Sequence, residues 1–542
     1  MQTSSDRVSK LAGRAEFHSV LDGQERTGQE RVPLLDPASG AEWGAVSWSL
    51  EHVDEAVARA DDAFRTGSWP LATRSARADV LDAIGRGVLE RVDEIAVLET
   101  LASGKPLAAT RAEVRVSARW WEYYAALLRT LRDEDLELSA SKRARLTHEP
   151  MGVVALVTPF NGAFSLGTWK LAPALAAGNA VVIKPPLNSP GSTVILREVM
   201  QAAGLPDGVV QVVQGGAEVG SRLVEHPGVA MVSFTGSTAA AMRVGRAVSG
   251  RLGRFVAEAG GKSAHIVFED AHIRDAVTAV VQGGFSGTGQ TCVAGSRVLV
   301  HRSIAPEFTA ELLQRISRLR VGDPLEDTTH LGPIASAAQH ARILDLIATA
   351  ISEGAKVLTG GTTPPDVPSG LRGGYWVSPT VLEVADNAAT ICQTEVFGPV
   401  LALMEFDDEA EAVAASIRAS IDAGLPASEI AVLYRTNAQS AAIEAALERL
   451  GIDARVHGAQ RFFDRAEVRQ AVVLMRAQAK VEDERPLFQI VSDVLRHCGW
   501  QVSPPEGAAA RERWQALGAI LALVDEQPAG TTAPPFPVLE PP

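Results

Sequence analysis

One cysteine and one carboxylate in this sequence have settings that suit covalent chemistry. Cys292 lies in Phe285-Ser-Gly-Thr-Gly-Gln-Thr-Cys292-Val-Ala-Gly-Ser-Arg297, with glycines at 287, 289 and 295 around a single sulfur. Glycines let backbone approach a bound ligand closely and leave amide N–H groups free to point at it. A thiol attacks as thiolate, so it needs a base or a positive field nearby. Glu258, in Val256-Ala-Glu258-Ala-Gly-Gly-Lys-Ser263, is the candidate base, and the two glycines after it predict a loop. A lone cysteine is otherwise a small buried hydrophobe. The Gly-Gln-Thr-Cys setting and the glutamate upstream favour the reactive reading.

These two motifs resemble the paired active-site motifs of the NAD(P)-dependent aldehyde dehydrogenase family, and the resemblance spans about residues 20–410. It implies that Cys292 attacks an aldehyde and that Glu258 activates the water that hydrolyses the resulting thioester. It also implies that Asn161, in Thr158-Pro159-Phe160-Asn161, holds the oxyanion together with the Cys292 backbone N–H. Such a donor is worth about 3 kcal/mol in the transition state. The same resemblance assigns Thr158, Pro159, Phe160, Lys184, Gly236, Ser237, Glu395 and Phe397 to the cofactor, NAD or NADP, with Lys184 and Glu395 on its ribose groups. Trp169 and Lys170 are implied as walls of a substrate tunnel. Three positions depart from the pattern: Ala241 stands for a glycine, Gly287 for an asparagine, and Leu187 for a glutamate that would repel a 2′-phosphate.

The elements that must carry these residues read as a doubly wound parallel α/β domain followed by a second α/β domain. Gly152–Val157, Ala180–Lys184, Val209–Val213 and Ala230–Phe234 are short apolar runs of the buried parallel-strand type, in alternation with helical stretches. Asn161, Lys184 and Gly236-Ser237 all fall at the carboxyl ends of such runs, where ligands of open α/β sheets bind. A strand-to-helix turn like Gly236-Ser237 favours phosphate through free N–H groups and the helix dipole. Taken alone, Lys184 reads equally as a lysine snorkelling from a strand end. Trp120-Trp121-Glu-Tyr-Tyr124 reads as helical core or as a tunnel wall. Residues 51–131 repeat apolar positions at helical spacing, and residues 36–40 are a turn.

The chain has 542 residues, 46% of them hydrophobic, and a net charge of −14. That field disfavours a polyanionic partner, so nucleic acid is not expected. Its three cysteines, Cys292, Cys392 and Cys498, are too far apart for a disulfide framework or a metal site, which fits a reducing, cytoplasmic setting. A polar N-terminus and the lack of a long uncharged apolar run predict neither a secretory signal nor a membrane span.

The expected organisation is an extension over residues 1–26 and a cofactor domain over 27–131 and 151–258. A hairpin over 132–150 has the place of the family's oligomerisation arm. A truncated catalytic domain covers 259–411. From 412 to 525 the sequence resembles the second motor domain of UvrD/PcrA-type DNA helicases, through Ala427–Ser440 and Gly458–Val468. A Pro-rich tail, 526–542, is expected to be disordered. Residues 411–542 carry 13 Lys/Arg and 17 Asp/Glu, whereas a phosphate-tracking module is basic. No nucleotide-binding loop is present, since Val256 stands where the glycine ahead of Gly261-Lys-Ser263 would be needed. The chain thus reads as a fusion. Its expected activity is aldehyde oxidation, with an inactive fusion or a DNA-associated protein as alternatives, and its family-type dimer or tetramer is expected to be weakened.

Overall fold

The computed structural model describes residues 15–139, 141–406, 409–422, 425–432, 438–454, 466–478, 487–501, 503, 505 and 508–525. The chain forms two compact units, residues 1–407 and 408–542.

In the first unit, the apolar runs become one seven-stranded sheet. Its order is Arg254–Ala259, Met231–Gly236, Val153–Val157, Ala180–Lys184, Val210–Val212, Ser19–Leu21, Gln24–Arg26. The first five strands are parallel and the last two join antiparallel. Every residue of Val153–Val157 and Ala180–Lys184 is buried, which explains why these strands read as continuous apolar runs and not as alternating ones. Burying each valine or isoleucine contributes about 1.5–3 kcal/mol. Residues 16–26, expected as a separate extension, instead supply two strands of this sheet, with Phe17, Val20 and Leu21 in the core. Residues 1–14 lie outside the described part.

Helices cover both faces. Glu51–Thr66 buries Val53, Ala56, Val57 and Ala60 against the sheet. Arg74–Glu90 starts where the Thr73 hydroxyl accepts the Ala76 N–H at 3.2 Å, an N-cap bond. Val92–Ser103 and the long Leu107–Thr130 complete the layer, and the wholly buried Trp121 anchors the latter. The expected hairpin forms from Glu134–Ser139 and Lys142–Leu146. One face carries Leu136, Leu138 and Leu146, all exposed, and the other pairs Asp135 with Arg145 and Glu137 with Arg143.

The second sheet runs Ala264–Val267, Arg297–His301, Val400–Phe406, Thr380–Glu383, Lys356–Thr359, parallel except for the last pair. Ile273–Phe285, Ala305–Ile316 and Ala337–Ser352 pack on it.

The second unit's longer described elements are α-helices: Glu409–Asp422, Ala438–Arg449, Ala466–Gln478, Leu487–His497 and Ala508–Asp525. They bury two small cores, one around Ala414, Ile443 and Leu447 and one around Val468, Leu495 and Leu517. The strand expected after Ala427 begins instead as a 3-10 turn, Ala427–Glu429. The quoted stretches 433–437 and 455–465, and the tail 526–542, lie outside the described residues.

Candidate active site

Helix Ile273–Phe285 delivers the chain to a tight turn before the cysteine. Gly287, Thr288 and Gly289 adopt φ of 58°, 60° and 69° in succession. That left-handed run costs a non-glycine residue about 1–2 kcal/mol. Thr288 is held there by its buried hydroxyl, which accepts the Gly332 N–H at 3.2 Å. Asparagine is among the non-glycine residues that enter this region most often, which makes the exchange at Gly287 compatible with the turn. Gly289 has no such latitude: a Cβ there would overlap the Gly398 carbonyl and lie 2.7 Å from Pro399 N. Cys292 follows in a partly exposed turn, next to Val293, which is 77% exposed.

Gln290 locks this loop from beneath. Its side-chain oxygen accepts the Ala335 N–H at 3.0 Å, and its amide donates to the Ser103 carbonyl at 3.5 Å. From the first sheet, strand Val153–Val157 ends in Thr158-Pro159-Phe160-Asn161, and the Asn161 side-chain amide donates to the Gln290 carbonyl at 3.0 Å. The candidate oxyanion donor and the candidate nucleophile are therefore joined across two residues of backbone. That amide nitrogen carries a second hydrogen for a ligand.

Glu258 is on a strand, not the expected loop. It occupies the edge strand Arg254–Ala259, opposite Thr235, and is exposed. Helix Ala163–Ala176 brings in the buried Lys170, which donates to the Ser233 hydroxyl at 2.9 Å. Burial pushes the Lys170 ammonium down to about 8, while the Glu258 charge pulls the other way. Trp169, one residue earlier, is 48% exposed and stacks on Trp120 at 5.1 Å, whereas Trp121 is core.

At the neighbouring strand end, the Lys184 ammonium donates to the Pro185 carbonyl at 2.8 Å and the Gly215 carbonyl at 3.1 Å, leaving one N–H free. Burial pushes it down to about 8 against the pull of Glu218. Gly236 ends its strand and Ser237 caps helix Thr238–Ser249, accepting the Ala240 N–H at 3.4 Å. Ala241, in that helix, buries its extra methyl against the first sheet, in the cluster of Val219, Leu223 and Phe234. Glu395 lies so close to Gly260 that a Cβ there would overlap its carboxylate. Burial raises its pKa above the ordinary range, offset by the Gly261 N–H, Arg342 and Lys262. Phe397 has φ of 57° and meets Phe160 edge-on at 5.6 Å. Leu187 is half-buried against the apolar cluster that includes Phe164, Leu171 and Ile183.

Sequence reasoning missed Thr288, Gln290 and His265. His265 packs its ring between Gly283 and Gly295, beside the Cys292 loop, and its Nε2 is buried without a partner among the described residues. Burial lowers its pKa. The only signal for it was a pair of glycines at positions with no turn to explain them.

A sheet of this topology, with a cysteine turn and a glutamate strand at its carboxyl edge, defines a class. Residues 24–431 match the aldehyde dehydrogenase family, and the chain belongs to that family. The match overlaps a second one, to the UvrD-like helicase C-terminal domain over residues 398–504. Aminoaldehyde dehydrogenase 2 of Solanum lycopersicum is 38% identical over 402 residues, covering 72% of this chain and 79% of that protein. The 4-trimethylaminobutyraldehyde dehydrogenase of Oryzias latipes is 37% identical over 391 residues, 72% of this chain and 77% of the relative. Among solved structures, betaine aldehyde dehydrogenase from Staphylococcus aureus in complex with NAD+ superposes with a TM-score of 0.73 at 30% identity, covering 76% of this chain and 82% of that one. No helix among the described residues is long and apolar enough to cross a membrane.

Proposed function

We propose that this protein oxidises an aldehyde to a carboxylic acid with NAD or NADP through a thioester on Cys292. The observation that carries this is the Asn161–Gln290 bond, which sets an amide donor beside the cysteine turn while Glu258 stands on the neighbouring sheet edge. The crevice fits a dinucleotide. The Thr158 and Thr235 hydroxyls are buried at its strand ends without partners among the described residues, Lys184 keeps a free N–H, and Gly261 has open space beside it. Lys184 and Glu395 would hold ribose hydroxyls, Gly236 and Ser237 the phosphates, and Phe397 with Phe160 the nicotinamide ring.

Cys292 adds as thiolate to the carbonyl carbon. The oxygen becomes an oxyanion held by the Asn161 amide and the Cys292 N–H. When bound, the cofactor supplies the hydride acceptor that turns this adduct into a thioester. Glu258 then takes a proton from water, the hydroxide adds to the thioester carbon, and collapse releases the acid and the Cys292 thiolate.

The substrate class is a cationic aldehyde. Support comes from relatives named for aminoaldehydes, from the exposed Trp169–Trp120 stack, and from a net charge of −14. An aromatic face attracts an ammonium by about 0.5–2 kcal/mol. The test is absorbance of reduced cofactor with an aminoaldehyde and with a neutral aldehyde of equal length. A higher kcat/KM for the cationic substrate supports the reading, and no turnover with either refutes it.

A further inference from the structure

Bonds at Thr288 and Gln290 and a close approach at Gly289 tie down the incoming half of the Cys292 loop. The outgoing half is held differently. The Ala294 N–H returns to the Thr291 carbonyl at 3.2 Å and the Ser296 N–H to the Ala294 carbonyl at 3.0 Å, both within the loop. Among the described residues, no hydrogen bond from another segment reaches residues 292–295.

What meets that half is His265. It stands on strand Ala264–Val267, paired with Val298 of strand Arg297–His301. A Cβ on Gly295 would overlap Nε2 and Cδ2 of the imidazole ring. A Cβ on Gly283, in the last turn of helix Ile273–Phe285, would lie 2.6 Å from the same Nε2. Neither glycine has a positive φ, so the ring, and not a turn, excludes a side chain at both positions. One ring therefore touches the chain where it enters the loop and again three residues after Cys292. Its Nε2 is buried without a hydrogen-bond partner among the described residues, so what it contributes there is volume. In a close-packed interior, volume fixes position.

We propose that His265 is a positioning residue for Cys292: its ring is the spacer between Gly283 and Gly295 that fixes the outgoing half of the loop, and with it the placement of the thiol against the Asn161 amide. The consequence for turnover rests on Cys292 as the nucleophile; the spacer itself does not. An error of about 1 Å in such a placement costs up to about a hundredfold in rate.

The test uses the full chain. Cys292 is read in two ways, by kcat and by the rate of iodoacetamide alkylation located by mass, since Cys392 and Cys498 are buried. Fluorescence titration with reduced cofactor reports the first sheet and the folding of each variant. His265→Ala should lower kcat at least about tenfold and change the alkylation rate at least about threefold, with the cofactor Kd unchanged. His265→Gln, which keeps length and a polar atom at the ring's far end, should restore most of both. Gly295→Ala should be as damaging as His265→Ala, because methyl and ring cannot share the space. In the His265→Ala background the same methyl should change either rate by less than about twofold. Equal damage from Gly295→Ala with and without the ring, unchanged rates in His265→Ala, or a kcat loss matched by an equal loss of cofactor affinity overturns the proposal. A wild type that oxidises no aldehyde refutes the dehydrogenase reading, and the alkylation rates then decide the spacer by the same comparisons.

Discussion

Gly289→Ala tests the account of the cysteine turn. Alanine at φ of 69° costs about 1–2 kcal/mol through its own backbone. The added methyl also meets backbone, the Gly398 carbonyl and Pro399 N, and not the tip of a side chain that could swing away. Overpacking of that kind costs about 1–3 kcal/mol. The total, about 2–5 kcal/mol, is a large part of the 5–15 or so that a folded unit typically has. Two controls separate the contributions. Gly354 has φ of 98° with nothing near its missing Cβ, so alanine there costs only the backbone share. Gly261 has open space and an ordinary φ, so Gly261→Ala is close to neutral in stability. Urea unfolding should rank the midpoints Gly261→Ala, Gly354→Ala, Gly289→Ala from highest to lowest. Equal midpoints for Gly289→Ala and Gly261→Ala would refute the close approach of the Cys292 loop to Gly398.

Cys292→Ala should abolish aldehyde-dependent cofactor reduction, as read by absorbance. Glu258→Gln should slow hydrolysis and let a protein-bound acyl group accumulate, visible as added mass; an unmodified chain after substrate contradicts its role as base. Leu187→Glu should raise the kcat/KM ratio of NAD over NADP, because a carboxylate repels a 2′-phosphate, and it should also lower stability by about 1–3 kcal/mol because the site is half-buried. An unchanged ratio removes residue 187 from cofactor choice. Lys262 is held down to about 8, chiefly by burial, with the Cys392 and Glu395 charges opposing. Between that value and its ordinary 10.5 the unfolded chain binds the extra proton, so stability rises with pH across this window. Lys262→Met should remove up to roughly one proton from that slope, and a slope identical to wild type counts against the burial.

The doubly wound sheet was legible because both-face burial leaves a plain mark, five apolar residues in a row at Val153–Val157. Ser19–Leu21 was not, since three residues between polar neighbours carry no periodicity, and only the partner strand Val210–Val212 makes them sheet. Cys292, Asn161 and Glu258 were legible as types in motifs. Glu258 was still placed on a loop, because Gly260-Gly261 reads as a breaker whether a strand or a turn precedes it. The roles of Gln290 and His265 were not legible, for a different reason. Their partners, Ser103 and Ala335 for one and Gly283 with Gly295 for the other, are set by packing and not by neighbours in sequence.

Cys292 and Glu258, the proposed nucleophile and base, belong to segments of different sheets. The chain passes between those sheets at Gly260-Gly261. Besides that crossing, the seam is fastened by the Asn161–Gln290 and Gln290–Ser103 bonds, by the Leu107 N–H on the Pro324 carbonyl at 2.8 Å, and by the close backbone approach of Gly104 and Gly332. For protein engineering this sorts substitutions by location. Changes that harden one sheet internally raise its melting point and leave the gap between nucleophile and base as it was. Changes at the fasteners reset that gap, and with it the turnover rate, even when they touch no ligand.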